Sequence, residues 1–291
     1  MVKNKIALIT NSSWNLYNFR RSLIQDLIQQ NFQVYCIAPV DEYTPEIQSI
    51  EGLNFIPLHR FSPYSKSPFN AFTSIAELVR ILRKYHFHKV MLFTIKPNLF
   101  GGLASIMTRT RYVNVLTGLG TAFSGSRLQT LLIKLAYRTC LLKTDAVVFQ
   151  NEEDKNLFIA SKVISKEKVR LIPGSGLPLS EWQFEEMSKY ERSFKFVFVG
   201  RLLVDKGIRE LVKAIIKLKQ STKQHFEVHF IGSYLPEHPK SITKKLFEEI
   251  QDQPLIQWHG KSPMVKEYLK EAHIMILPSY REGLSKAILE A

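Results

Sequence analysis

Short apolar runs rich in β-branched residues alternate with longer helical patterns along the whole chain, and this alternation restricts the fold more than any other feature. Residues 5–10, 33–38, 54–58, 89–94, 112–117 and 145–150 read as strands, and residues 20–30, 71–85, 101–109, 127–142 and 152–161 read as helices between them. Parallel neighbours need a long crossover, normally a helix, so a repeated β-α order predicts parallel sheets. A further strand at 169–172 runs into Pro173-Gly174-Ser175-Gly176-Leu177-Pro178, a glycine and proline cluster that marks a boundary. The pattern then restarts with strands at 194–199, 226–231, 255–259 and 274–277 and helices at 208–221, 241–251 and 265–271. An α/β protein of two parallel-sheet domains, residues 1–176 and 177–291, is the expectation.

The formal net charge of +14 predicts attraction to polyanions, anionic lipid or phosphorylated small molecules. No run of five basic residues and no zinc-finger spacing is present, which argues against nucleic acid as a partner. Cys36 and Cys140 lie in apolar surroundings and read as reduced, buried thiols of a cytoplasmic protein. The first apolar run, Ile6 to Ile9, ends at Thr10-Asn11-Ser12-Ser13, too short for a signal peptide. No window has the apolar length of a membrane span, so contact with a membrane is expected to be peripheral.

Two stretches carry candidate chemistry. Phe198-Val199-Gly200-Arg201-Leu202-Leu203-Val204-Asp205-Lys206-Gly207 is a strand, a glycine turn and two cations ahead of a helix. The carboxyl ends of strands in an open parallel sheet face the ligand crevice, where Arg201 forks phosphate oxygens and Lys206 adds a compact charge. The other reading of these cations is solvated loop charge. In Pro278-Ser279-Tyr280-Arg281-Glu282-Gly283-Leu284-Ser285, a turn leads into a helix expected to be capped by Ser285, with Glu290 about two turns along it. Its amide end makes an anion site, and Glu282 and Glu290 can face one bound molecule. A capping acid plus an exposed helix residue is the plainer alternative.

Together these stretches resemble the retaining glycosyltransferases of family 4, which have the GT-B fold of two Rossmann-like domains. The resemblance implies that Gly200, Arg201 and Lys206 bind the diphosphate of a nucleotide sugar. It also implies that Glu282 contacts the donor sugar near the reacting carbon, Glu290 holds the ribose, and the amides of Gly283, Leu284 and Ser285 meet the phosphates. Catalysis would then rest on Glu282, Arg201 and Lys206. Asn11-Ser12-Ser13-Trp14, Asn18-Phe19-Arg20, Thr94-Ile95-Lys96-Pro97-Asn98 and Asn114-Val115-Leu116-Thr117-Gly118-Leu119-Gly120 look like the bacterial subgroup that builds O-antigen, capsule and lipid-linked glycans. That subgroup often moves an N-acetylhexosamine.

The implied activity is retaining transfer of a hexose or N-acetylhexosamine from a UDP-linked donor to a lipid-linked or polysaccharide acceptor. The expected place is the cytoplasm or the inner face of the cell membrane. Gly118-Leu119-Gly120-Thr121-Ala122-Phe123 lacks the third glycine and the acidic partner of a dinucleotide fingerprint, so no nicotinamide site is expected. No Asp-x-Asp or clustered His/Cys pattern indicates a metal, and no cofactor beyond the donor is expected. The helix at 127–142 sets Leu128, Leu131, Leu132 and Leu135 beside Arg127, Lys134, Arg138 and Lys143. It reads either as a lipid-facing amphipathic helix or as a core helix with snorkelling cations. The segment 60–70 is long for a βα connection and reads either as a functional loop or as an irregular surface loop. Family members continue past the second glutamate, so the resemblance also raises a shortened, non-catalytic form that binds nucleotide or a partner only.

Overall fold

A computed structural model describes residues 4–62, 65, 67–118, 127–179, 181–183, 193–280, 282 and 284–291. The chain divides into two compact units, Met1–Ser175 and Gly176–Ala291.

The first unit contains β1 (Lys5–Ile9), α1 (Ser13–Gln29), β2 (Gln33–Ala38), α2 (Thr44–Gln48), β3 (Leu53–Pro57), α3 (Pro68–Tyr85), β4 (Lys89–Phe93) and α4 (Ile95–Thr108). It continues with β5 (Tyr112–Leu116), α5 (Arg127–Cys140), β6 (Ala146–Phe149), α6 (Glu152–Ala160) and β7 (Val169–Leu171). These strands form one parallel sheet in the order β3-β2-β1-β4-β5-β6-β7. One face buries Ala7, Ile9, Ile37, Val90 and Leu92 with residues of α3 and α4. The other buries Leu8, Val34, Cys36 and Phe93 with Leu16 and Ile24 of α1. Burial on both faces explains why these strands are nearly continuous apolar runs.

The second unit contains β8 (Phe194–Val199), α7 (Ile208–Ser221), β9 (Phe226–Ile231), α8 (Lys244–Asp252), β10 (Ile256–Trp258), α9 (Val265–Glu271), β11 (Ile274–Met275) and α10 (Lys286–Glu290). Its sheet is also parallel, in the order β10-β9-β8-β11. Phe198, Val228, Phe230 and Ile256 pack there against Leu211, Val212 and Ile215 of α7 and Leu246 and Ile250 of α8.

Several elements differ from the sequence pattern at their ends. Helix α1 begins at Ser13, not near residue 20, because the Ser12 side chain accepts the Asn15 N–H at 3.1 Å and caps the polar stretch as helix. Helix α4 begins at Ile95, with Pro97 in its first turn, where the missing N–H costs nothing. Helix α3 starts at Pro68 for the same reason, which shortens the connection at 60–70. Helix α8 starts at Lys244; Ser241 instead bridges to Leu203. The five-residue α2 is too short to show a period.

Helix α5 is divided by face. Tyr137 and Cys140 are buried, whereas Leu128, Leu131, Leu132 and Leu135 are all more than half exposed. No helix among the described residues is long and apolar enough to cross a membrane.

Phe230 is fully buried in the core of the second unit. Phe230→Ala is expected to cost about 3–5 kcal/mol by lost burial and a residual cavity, read as a lower denaturation midpoint of that unit with the midpoint of the first unit unchanged. Burial also raises the Cys36 thiol pKa and pushes Cys140 up to about 12, although a backbone hydrogen bond opposes the shift at Cys140. Both thiols should therefore ignore a thiol reagent at pH 8 until the chain is unfolded; rapid labelling of the native protein would contradict this packing.

Candidate functional site

In an open α/β sheet, ligands bind beyond the carboxyl ends of the strands where the winding direction reverses. The second sheet reverses between β8 and β11, since β9 and β10 lie on one side of β8 and β11 on the other. The two stretches singled out in the sequence leave from these two strands.

The loop after β8 is shaped by glycine and by its neighbours. Gly232, just after β9, has φ 152°, and a Cβ there would lie 1.9 Å from the Gly200 carbonyl oxygen. The two loops can meet so closely only without a side chain at 232. Leu202 N–H donates to the Ser233 carbonyl at 3.0 Å, Val204 N–H to the Lys240 carbonyl at 2.9 Å, and Ile242 N–H to the Leu202 carbonyl at 3.2 Å. The Lys240 ammonium pairs with Asp205 at 2.9 Å. A 3₁₀ turn at Val204–Lys206 then ends at Gly207, which starts α7 with a left-handed φ of 68°.

The loop after β11 docks on this turn. A Cβ at Gly207 would lie 2.2 Å from the Pro278 carbonyl oxygen. Tyr280 N–H donates to the Asp205 carbonyl at 3.0 Å. The Tyr280 hydroxyl donates to the Glu210 carboxylate, which helps Glu210's own backbone amide hold that carboxyl below its usual range. At the centre the Lys206 ammonium forms an ion pair with the Glu282 carboxylate, both side chains about one quarter exposed. Two residues 76 positions apart in sequence are thus in direct contact.

The remaining candidates fall into four groups. Arg201 is exposed and has no acid partner among the described residues, and Gly200 and Leu284 line the same two loops. Ser285 occupies the N-cap position of α10 in extended conformation, but its hydroxyl makes no capping hydrogen bond, contrary to the sequence expectation. Glu290 lies on α10 and pairs with Lys286 at 3.0 Å, not with the Lys206–Glu282 pair. Gly283 lies outside the described residues, as do Arg281 and residues 119–126 of the glycine-containing segment.

Sequence reasoning passed over Asp205, Gly232, His238 and Lys240. Gly232 had a usable signal, because it follows β9 as Gly200 follows β8. His238 accepts the Lys240 N–H at 3.1 Å, and burial first and the Arg201 charge second lower its pKa below the ordinary imidazole value. It is therefore neutral near pH 7. Cations and a carboxylate are thus gathered on the two loops that leave β8 and β11.

In the first unit the motif residues form a buried network. Asn98 Nδ2 donates to the Thr94 and Val115 carbonyls at 2.7 and 3.0 Å, and Asn114 Nδ2 donates to Asn98 Oδ1 at 2.8 Å. These bonds lock the start of α4 to the end of β5. Lys96 donates to the carbonyls of Ser62 and Ser65, tying the segment at 60–70 to α4, and burial lowers its pKa.

The sequence profile described as Glycosyl transferase 4-like matches residues 5–151, half of the chain. This chain belongs to that family. A second profile, Glycosyl transferases group 1, matches residues 180–291. The chain is 24% identical to N,N'-diacetylbacillosaminyl-diphospho-undecaprenol alpha-1,3-N-acetylgalactosaminyltransferase of Campylobacter jejuni, over 99% of this chain and 77% of that protein. It is 21% identical to the capsular polysaccharide biosynthesis glycosyltransferase CapM of Staphylococcus aureus, over 93% of this chain and 72% of that one. Among solved structures, Anabaena HepE in complex with UDP and glucose superposes with a TM-score of 0.76 at 14% identity, over 99% of this chain and 78% of that chain. The α/β architecture of two parallel sheets is the GT-B fold, and the protein is an enzyme, a hexosyltransferase of the family 4 type. Its relatives make lipid-linked and surface glycans.

Gly207 and Gly260 both have left-handed backbones, but a Cβ at 260 would meet nothing nearer than 3.8 Å. Gly207→Ala should therefore lower the thermal midpoint of the second unit more than Gly260→Ala, which bears only the conformational cost of about 1–2 kcal/mol. Equal shifts would contradict the close docking of the two loops.

Proposed function

We propose that this glycosyltransferase moves a hexose or N-acetylhexosamine, with retention at the reacting carbon, from a UDP-linked donor to a lipid-linked or polysaccharide acceptor of a bacterial surface glycan. The observation that carries this reading is the meeting of Lys206 and Glu282 at the carboxyl ends of β8 and β11, where the second sheet reverses. The relatives' names support the acceptor class, since one carries a diphospho-undecaprenol acceptor and another acts in capsule synthesis. The UDP complex of the HepE structure supports the donor class.

In this reading Arg201 and Lys206 stabilise the diphosphate as it departs, a charge assigned to side chains and not to a metal ion. The diphosphate takes Lys206 from Glu282, which frees that carboxylate for the donor hydroxyls. Turn amides ahead of α10 add donors to the phosphates, and Glu290 leaves Lys286 to take the ribose hydroxyls. The acceptor hydroxyl attacks from the face that the leaving group vacates, and the departing phosphate takes its proton. The protein mainly orients the reactants and stabilises charge.

The exposed leucines of α5, with Lys134, Arg138 and Lys143, are assigned to an anionic membrane surface at the inner face of the cell membrane. Leu131→Ser combined with Leu135→Ser should then weaken co-sedimentation with vesicles containing anionic lipid while leaving the thermal midpoint unchanged. Undiminished sedimentation would remove that assignment.

Arg201→Ala removes charge-assisted hydrogen bonds of about 1.5–3 kcal/mol each. The calorimetric dissociation constant for UDP should rise tenfold or more. Unchanged affinity would overturn the place given to the donor.

A further inference from the structure

Arg20 is 5% exposed, yet no carboxylate pairs with it among the described residues. Its guanidinium carbon lies 4.3 Å from the centroid of Phe93, the last residue of β4. Nη1 donates to the Ser175 hydroxyl at 3.0 Å, and Nε has no acceptor. The same Ser175 oxygen accepts Gln150 Nε2 at 3.3 Å, just beyond β6. Burial alone lowers the Arg20 pKa, to about 10, and the group stays charged at any physiological pH. Buried arginines are normally paired, because an uncompensated charge out of water is costly. A neutral hydroxyl and a ring face supply only part of what this cation lost.

Its place in the fold is where ligands bind. The first sheet reverses between β1 and β4, and the guanidinium stacks on the residue that ends β4. The next residue, Thr94, has φ 65° and ψ 165°, a region almost confined to glycine, and its hydroxyl is buried without a partner. Asn98 holds that strain through its backbone N–H and its side-chain amide, both donating to the Thr94 carbonyl. Backbone strain and orphaned buried polar atoms are features that folding alone selects against. Ser175 sits between Gly174 and Gly176, both with positive φ, in a segment whose own bonds are few.

We propose that Arg20 is a binding residue for the phosphate oxygens of a diphosphate-bearing polyprenyl acceptor, and that the Ser175 hydroxyl holds the place of one of those oxygens until the acceptor arrives. The guanidinium forks two phosphate oxygens as it forks no partner now. This deepens the transferase reading and rests on it for the identity of the acceptor. Arg20 is assigned the acceptor's anion, and the UDP arm of the measurement below separates it from the donor diphosphate given to Arg201 and Lys206.

Binding of a short-chain polyprenyl diphosphate, of inorganic pyrophosphate and of UDP would be measured by calorimetry for the intact chain, Arg20→Met and Arg20→Lys. Arg20→Met should weaken the polyprenyl diphosphate at least tenfold, leave UDP unchanged, and leave the thermal midpoint level or higher, because a buried unpaired charge has been replaced by an apolar side chain. Arg20→Lys, which keeps the charge, should weaken it less than Arg20→Met. Equal affinity in all three proteins, or a large fall in midpoint for Arg20→Met with full affinity in Arg20→Lys, would make Arg20 a structural residue and overturn the proposal. Pyrophosphate binding as tightly as the polyprenyl diphosphate would assign the site to a free anion and overturn the acceptor. Loss of UDP binding in every protein, with Arg20-dependent binding intact, would sink the transferase reading and leave the anion site standing.

Discussion

The functional reading depends on one close approach, that of the Gly207 backbone to the Pro278 carbonyl. A side chain at 207 would place a Cβ 2.2 Å from that oxygen. Because glycine stands there, the loop after β11 lies directly on the turn after β8, and the Tyr280 N–H reaches the Asp205 carbonyl. Lys206 and Glu282 touch because their loops are stacked, while Asp205 pairs with Lys240 and Arg201 is exposed with no acid partner among the described residues. Backbone geometry sets the site first, and the charges then occupy it.

The two units treat charge differently. In the second, the half-buried cation and the half-buried carboxylate neutralise each other, a pairing that the proposed function has an incoming diphosphate break by competing for the ammonium. In the first, Arg20 is buried beside an aromatic ring and a hydroxyl, and Lys96 binds carbonyl oxygens. Both lack an acid partner among the described residues. A chain with a net charge of +14 carries cations of both kinds, and of the second kind Arg20 is the one proposed to take an anion from outside.

Much of this was legible from the sequence, because parallel strands buried on both faces must be continuous apolar runs and must be separated by crossovers. Strands Gln33–Ala38, Phe194–Val199 and Phe226–Ile231 and helix Ile208–Ser221 have the bounds that the pattern predicts. The starts of α1 and α4 were not legible, since Ser12 and Pro97 act through capping and through a missing donor, and neither alters the apolar period. Arg201, Lys206 and Glu282 were nameable from local residue type, whereas Lys240 and Gly232 act only through pairings formed across the sheet. The Ser285 expectation failed because residue type specifies a cap position but not whether the hydroxyl turns toward the amides. Arg20 was visible only as part of a motif; burial without a counter-charge is a property of the packed chain.

Amide hydrogen exchange with and without saturating UDP tests the central claim most directly. Protection is expected in peptides covering residues 200–207 and 278–290, the two loops that leave β8 and β11. Protection confined to the first unit, or an exchange pattern that UDP does not change, would contradict the donor site and the function built on it.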